Sequence, residues 1–454
     1  MKKYPFNEKI KELSKCFASK GYSLYLVGGA VRDFLLKKKN DDYDFTTDAL
    51  PEEIVALFPG KTIPTGIKHG TVTVLFKGES YEITTFRTEG SYTDSRHPDN
   101  VTFVRSLEED LKRRDFTINA FAADTKDGHI IDLHDGYSDL KNGILRAIGD
   151  AKERFKEDAL RMLRACRFAA KLNFTIEKST FNAICDRASS IKKVSAERIK
   201  DELFSILSSS HPAKGIDLMR ESKLLSYIIP ELEWGIGCEQ LGFHDKDVYT
   251  HILLTVQAAA DASFPLSVRL AALFHDIAKP LCRAGNEEVG YTFYNHDTEG
   301  ERLTREILLR LKCSNEEINH TALLVREHMF NYTPNWSDSA VRRFILRVGV
   351  NNIKDLFLLR LADMKAISGR MDFTSLEELD SRIRVELEKQ NALSVKDLLI
   401  NGNDLLSMGL KGPIIGETLN YLLDNVIEDP SLNERSKLIE LAKKFILLNQ
   451  AKLT

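Results

Sequence analysis

The sequence predicts an α+β protein, a mixed β-sheet domain with interleaved helices followed by a long all-α remainder. Three observations carry that expectation. Runs of β-branched and aromatic residues bounded by turn formers are confined to the first 150 positions: SLYLV (23–27), TVTVLF (71–76), SYEITTF (80–86) and HIIDL (129–133). Beyond Asp150 the strands stop and helical periodicity continues almost to the C-terminus. At 454 residues and 51.5 kDa the chain is also too long for one core. Divisions are expected near Gly149, in PELEWGIG (230–237) and near Ser368–Asp372, which gives segments 1–149, 150–230, 231–370 and 371–454.

The N-terminal MKKYPFNEKIKELSKCF reads as an amphipathic helix without the apolar stretch of a signal peptide. AVRDFLLKK forms a short helix after the first strand. PEEIVALF forms another, with Asp48 as its cap and Pro51 in its first turn. Composition is that of a globular chain, 43% hydrophobic and 29% charged, and a net charge of -3 gives no global basic signal for nucleic acid. Six scattered cysteines without a CxxC pair argue against disulfides and a thiolate zinc site, and fit a reducing cytoplasm. No apolar run approaches the roughly 18 residues a membrane span needs.

KKKNDDYDFTTDALP (37–51) crowds Asp41, Asp42 and Asp44 with no neutralising neighbour. On a strand, Asp42 and Asp44 share a face roughly 6–7 Å apart. Two carboxylates held so close call for a countercharge, and Mg²⁺ on carboxylates plus substrate phosphates supplies one; a solvated acidic turn is the plain alternative. Upstream, Gly28–Gly29 in LVGGAVRDFLL let backbone N–H groups approach a phosphate, or form a simple tight turn. Arg32 and Asp33 either meet that phosphate or pair with each other. Glu82 on its strand is a third carboxylate for a two-metal site, or an exposed strand residue.

Taken together, LVGGAVRDFLL followed by DYDFTT resembles the active-site signature of class II tRNA nucleotidyltransferases, the CCA-adding enzymes and their bacterial poly(A) polymerase relatives. RRDFTINA (113–120), DLHDGYSDL (132–140), EDALRMLRACRFA (157–169) and SAERIKDEL (195–203) resemble the further motifs in order, and LLINGNDLLSMGLKGPIIG resembles the tail segment. The resemblance implies a nucleotidyltransferase head, a helical neck, an HD-type helical domain and a tRNA-binding helical tail. It implies Asp42 and Asp44 as Mg²⁺ ligands activating the tRNA 3′-hydroxyl, with Glu82 as the third carboxylate. Gly28, Gly29 and Arg32 become triphosphate contacts, and Asp115 with Asn119 the ribose reader. Arg113 and Arg114 become phosphate or primer contacts, and Glu157, Asp158 and Arg161 the amino-acid template for the base.

The fourth motif also has a physical logic. On one helix Asp158 and Arg161 are i, i+3 neighbours that can orient each other, and Arg164 and Arg167 continue their stripe. A carboxylate accepts from an exocyclic amine and a guanidinium donates to ring nitrogens, so the pair reads cytosine or adenine; a surface salt-bridge helix has the same pattern. TEGSYTDSRHPDN (88–100) reads as a mobile polar loop, which in the resembled family is the element needed to move from C to A addition. Lys171, Lys192, Lys193, Arg198 and Lys200 are the expected contacts to the tRNA backbone.

A second constellation follows. His251, His275–Asp276 and Asp363 resemble the H…HD…D order of HD-superfamily metal phosphohydrolases, and His296 and His328 are spaced as further ligands or phosphate contacts. The resemblance implies a second divalent metal, with hydrolysis of phosphoester ends such as 2′,3′-cyclic phosphates left open. The expected function is therefore template-independent addition of CCA to tRNA from CTP and ATP, in the cytoplasm, with no membrane or obligate protein partner. The alternatives are an A-adding or poly(A)-adding enzyme, and an HD phosphohydrolase whose first domain only binds RNA.

Overall fold

The computed structural model describes residues 3–40, 42–89, 101–241, 244–286, 288, 290–389 and 394–448. Asp41, and the polar loop from residue 90 onward, lie outside the described residues. The chain folds as two compact units, Met1–Ile236 with Leu309–Cys313, and Gly237–Leu308 with Ser314–Thr454.

The first unit opens with helix α1 (Glu8–Ala18), started by the Asn7 side chain accepting from Ile10 N. Its centre is a seven-stranded mixed sheet: β1 (Leu24–Val27), β2 (Asp44–Thr47), β3 (Thr62–Gly66), β4 (Thr71–Phe76), β5 (Glu79–Thr85), β6 (Phe121–Asp124) and β7 (Ile130–Asp132). The strand order is β3-β4-β5-β2-β1-β6-β7, and only β2 and β5 run parallel. Alternation along β5 buries Tyr81, Ile83 and Thr85 and leaves Glu82 on the open face. Two strands of this sheet absent from the sequence reading, β3 and β6, are short and weakly patterned. The Ala-rich β6 is a strand because β1 pairs with it, not because of propensity.

Helix α2 (Gly29–Leu35) follows β1, and α3 (Pro51–Leu57) follows β2. Pro51 takes the first helical position as expected, but Asp48 does not cap: its carboxylate accepts from Ser23 N at 2.8 Å, tying β1 to the end of β2. Helices α4 (Leu107–Lys112), α5 (Ala151–Glu157), α6 (Leu160–Leu172) and α7 (Ala196–Leu207) complete the part that bears on function. The strands do not stop at Asp150, contrary to the periodicity. Ile144–Leu145 pairs in parallel with Thr175–Ile176, which clamps the chain on both sides of Gly149. Two further hairpins, Glu239–Leu241 with His244–Asp247 and Ala284–Asn286 with Gly290–Thr292, lie in the second unit.

That second unit is otherwise helical. It includes α8 (Val248–Asp261), α9 (Leu266–Phe274), α10 (His296–Arg310, which belongs to this unit up to Leu308), α11 (Asn315–Glu327) and α12 (Val350–Ser368). A separate apolar core forms toward its end around Leu398, Leu405, Leu422, Val426 and Leu438. Among the described residues no helix is long and apolar enough to cross a membrane.

Candidate active site

Strand β2 begins at Asp44, so Asp42 precedes the strand instead of sharing its pleat; Asp42 N donates to Asn40 Oδ1 at 2.8 Å. The carboxylate grouping still forms, by another route. In the sheet register Val27 pairs with Asp44 and Asp44 with Glu82, so three neighbouring strands align the Gly28 turn with two carboxylates. Partial burial, then the charges of Asp42 and Glu82, hold the Asp44 carboxyl above its ordinary value against the pull of Arg114. A carboxyl raised by burial and by neighbouring acids fits a divalent cation, as an oxygen donor at the head of a strand should.

Gly28 turns the chain with φ of +68°, a left-handed conformation natural to glycine, and a Cβ there would approach Arg114 Nη1 to 3.3 Å. Beyond it lies a cleft of about 310 Å³ lined by Gly28, Arg113, Arg114, Asp115, Asn119 and Asp158, with Arg161, Arg164, Phe168 and Arg198. Nine of these ten side chains or backbone positions are ones the sequence singles out.

Asp115 is the anchor of the cleft. Arg164 donates to its Oδ2 through Nε at 2.9 Å and Nη2 at 2.7 Å, while Asn119 Nδ2 and Phe116 N donate to Oδ1 at 3.1 and 2.8 Å. Burial alone would raise this carboxyl; Arg164 and Asn119 overcome it and bring it down to about 2. Arg32 is buried and donates to Asp33 at 2.8 Å and to Asn119 Oδ1 at 2.6 Å, so it braces the ribose-reading pair of the sequence expectation. Gly136, in the third motif, lets the chain pass under this segment: a Cβ there would fall 2.4 Å from Thr117 O.

The fourth motif is built differently from its i, i+3 reading. Helix α5 ends before Asp158, whose backbone is extended, and α6 starts at Leu160. Asp158 and Arg161 therefore do not lie on one continuous helix. Arg161 Nη1 donates to Glu157 Oε2 at 2.5 Å, and Asp158 Oδ2 accepts from Arg198 Nη2 at 2.8 Å. Arg167 pairs with Glu202 at 2.6 Å instead of extending an open stripe. Arg198, expected on the tRNA backbone, is turned into the cleft. Of the other expected RNA contacts, Lys171, Lys192 and Lys193 are exposed, with Lys192 Nζ 4.8 Å from the Tyr227 ring centroid, and Lys200 is half-buried beside Asp201.

One lining residue, Phe168, and two residues that hold the lining arginines, Asp110 and Glu202, escaped the sequence reading. Fully buried Asp110 holds Arg113 through Nε at 2.9 Å and Nη2 at 2.8 Å, and Arg114 at 3.5 Å. Phe168 lies under the guanidinium groups of Arg32, Arg164 and Arg167, at 5.4, 5.5 and 4.3 Å from its centroid. Glu202 pairs with Arg167 and, at 3.9 Å, Arg164. Asp110 and Glu202 stand at helical spacing from arginines of the motifs, a signal the motif-by-motif reading passed over.

In the second unit, His251 on α8, His275 after α9, and Asp363 on α12 converge, as do Asp276, His296 and His328, with ligand atoms of each set within 4.8 Å of one another. His251 Nε2 lies 3.1 Å from His275 Nε2 and from Asp363 Oδ1. Asp276 joins the sets, with Oδ2 at 3.4 and 3.3 Å from His251 and His275, and Oδ1 at 3.5 Å from His296 and His328. Nδ1 of His275, His296 and His328 each lies within hydrogen-bond distance of a backbone carbonyl, an arrangement that turns Nε2 inward. Burial would raise the Asp276 carboxyl, but His275 and Lys279 hold it well below the carboxylate range. This donor set suits a divalent transition metal.

A mixed sheet presenting paired carboxylates beside an arginine-rich cleft is the architecture of a nucleotidyltransferase. Residues 24–146 match the poly A polymerase head domain family, 173–234 the "Probable RNA and SrmB-binding site of polymerase A", and 286–442 a tRNA nucleotidyltransferase domain 2. The chain is 36% identical over 437 residues to the CCA-adding enzyme of Lactiplantibacillus plantarum, covering 95% of each chain. It is 38% identical over 450 residues to that of Ligilactobacillus salivarius, covering 98% of this chain and 96% of the relative. The Bacillus stearothermophilus CCA-adding enzyme in complex with CTP superimposes with a TM-score of 0.73 at 30% identity, covering 98% of both chains. The Thermotoga maritima CCA-adding enzyme complexed with tRNA, at 21% identity and a TM-score of 0.56, shares the fold over 96% of this chain and 94% of its own. The chain belongs to the CCA-adding enzyme family.

Proposed function

We propose that this chain adds CCA to the 3′ end of tRNA from CTP and ATP, without a nucleic-acid template, in the cytoplasm. The observation that carries this is the alignment of the Gly28 turn, Asp44 and Glu82 on three adjacent strands at the mouth of the arginine-lined cleft. Asp42, Asp44 and Glu82 are the residues that would hold Mg²⁺. When bound, the ion supplies charge neutralisation at the triphosphate and activation of the attacking hydroxyl. Arg113 and Arg114, fixed by Asp110, present positive charge to phosphates. Asp115 and Asn119 orient the ribose, and Asp158 and Arg161 face the base edge. The tRNA 3′-oxygen then forms a bond to the α-phosphate and diphosphate departs. Lys171, Lys192, Lys193 and Lys200 offer charge to the RNA backbone.

The test supplies transcripts lacking CCA, or ending in C or CC, with CTP and ATP singly and together. Two C residues followed by one A are expected; A addition only to CC ends, or long A tails, would replace this reading with an A-adding or poly(A)-adding one.

The convergence of four histidine Nε2 atoms on Asp276 favours a second reading alongside the first. His251, His275, Asp276, His296, His328 and Asp363 hold divalent metal and serve phosphoester hydrolysis at RNA ends, with Lys279, 2.7 Å from Asp276, as the nearby cation.

A further inference from the structure

We propose that Arg198 is a positioning residue for base selection: it fixes the Asp158 carboxylate so that the carboxylate admits bases with an exocyclic amine and rejects those without one. The inference rests on Asp158 reading the base. Asp158 Oδ1 accepts from Leu160 N at 3.0 Å and Oδ2 from Arg198 Nη2 at 2.8 Å. One oxygen is thus tied to the first turn of α6 and the other to α7, which fixes the plane of the carboxylate. Arg161, three positions further on, donates to Glu157 Oε2 at 2.5 Å.

Both partners line the cleft, with side-chain exposure of only 16% for Asp158 and 24% for Arg198. Arg198 Nη1 is buried and meets no acceptor among the described residues. An unpaired buried guanidinium N–H is unfavourable, and the acceptor-bearing edge of a base would satisfy it. An ionised carboxylate only accepts hydrogen bonds. Cytosine and adenine present an amino group on the pairing edge, whereas uracil presents a carbonyl that would face a carboxylate oxygen with no proton between them. That discrimination requires a fixed carboxylate; one free to turn lets water bridge the mismatch.

The experiment measures incorporation of CTP, ATP and UTP on CCA-less tRNA by R198M, R198K, D158A and the D158A/R198M pair, with thermal melts of each. Expected for R198M is a rise of about tenfold in UTP use relative to CTP, a raised CTP KM and an unchanged tRNA KM. The double variant should discriminate no worse than D158A alone. R198K keeps the charge but loses the planar fork, and should fall between wild type and R198M. A raised tRNA KM with unchanged base choice would place Arg198 on RNA and overturn the proposal, as would independent, multiplying losses in the double variant. If R198M fails to fold, a folded R198K with the wild-type ratio overturns it equally. D158A with intact base choice removes the underlying reading of Asp158; broadened choice in D158A with none in R198M removes only the role of Arg198.

Discussion

Asp44 and Glu82 sit directly opposite each other on the one parallel strand pair of the sheet, with Val27 completing the row on the other side of Asp44. Parallel pairing at this point puts both carboxylates at the same height on neighbouring strands and Asp42 just outside. Removing any one lowers the mutual repulsion and also the cation affinity. Asp44→Ala should reduce nucleotide addition by roughly a hundredfold to a thousandfold while tRNA retention in a gel-shift assay is kept. Glu82→Gln should raise the magnesium concentration needed for half-maximal activity before it lowers the plateau. Loss of tRNA binding in parallel with activity would move these residues out of the metal-binding role.

The Asp115–Arg164 pair makes a prediction about acid. The Asp115 carboxyl is held at about 2 when folded, below its unfolded value. A depressed carboxylate stabilises the fold above its unfolded pKa, and that stabilisation is lost as pH falls through the folded value. Arg164→Met takes away both donors to Asp115 Oδ2 and leaves the buried charge to Asn119 and Phe116 N, and should cost about 2 kcal/mol at pH 7, a figure kept low because Arg164 itself is partly exposed. Urea unfolding at pH 7 and pH 3 checks it: the deficit of the variant should shrink toward acid as Asp115 protonates. A deficit independent of pH would mean that packing on Phe168, not the ion pair, is what Arg164 contributes.

How legible this was in the sequence depended on whether a signal was local. Strand β4 and the buried alternation of β5 were readable because their period is carried by consecutive residues. Chemistry-bearing residues in short motifs were readable for the same reason, and nine of them meet in one cleft. What failed was pairing. Asp158 and Arg161 look like partners by spacing, yet a helix break at Asp158 hands them to Arg198 and Glu157. Asp48 looks like a cap, yet a β-sheet neighbour 25 positions away claims it. Partners separated by 40 or more residues, such as Asp158 and Arg198 or Asp115 and Arg164, are set by tertiary packing that no local period encodes.

The histidine–aspartate cluster of the second unit predicts metal content. Its two ligand sets have no residue in common and are linked by Asp276, whose Oδ2 also lies 3.4 and 3.3 Å from His251 and His275, so the purified chain should carry up to two transition-metal ions by elemental analysis. His328→Gln should remove one of them and Asp276→Asn both. Chelator treatment should lower the melting temperature, because buried ligands without metal leave charges facing one another. CTP and ATP addition by His275→Ala should stay near wild type, as the carboxylates of the sheet belong to the other unit. Metal-free protein with an unchanged melt would assign the cluster a purely structural role.

The last prediction concerns a switch in stability between α11 and α12. His320 Nε2 lies 2.9 Å from Asp355 Oδ2, its Nδ1 2.9 Å from Asn352 Oδ1, and Ser267 Oγ donates to the same Asp355 oxygen at 2.7 Å. The Asp355 hydrogen bond raises the His320 pKa, and His320 in turn lowers that of Asp355. A histidine raised on folding stabilises fully below its unfolded pKa and loses that contribution as pH rises through the folded value. The depressed aspartate does the reverse, losing its contribution as pH falls. The pair therefore contributes most in the mildly acidic window between the two, by about 1 kcal/mol for a charge-assisted bond in a half-buried site. His320→Gln keeps a hydrogen bond but not the charge. Its melting temperature should fall below that of the wild type most near pH 5.5 and converge with it by pH 8.5, where the wild-type imidazole is neutral. A constant offset across that range would show that the ring acts through packing and not through its proton.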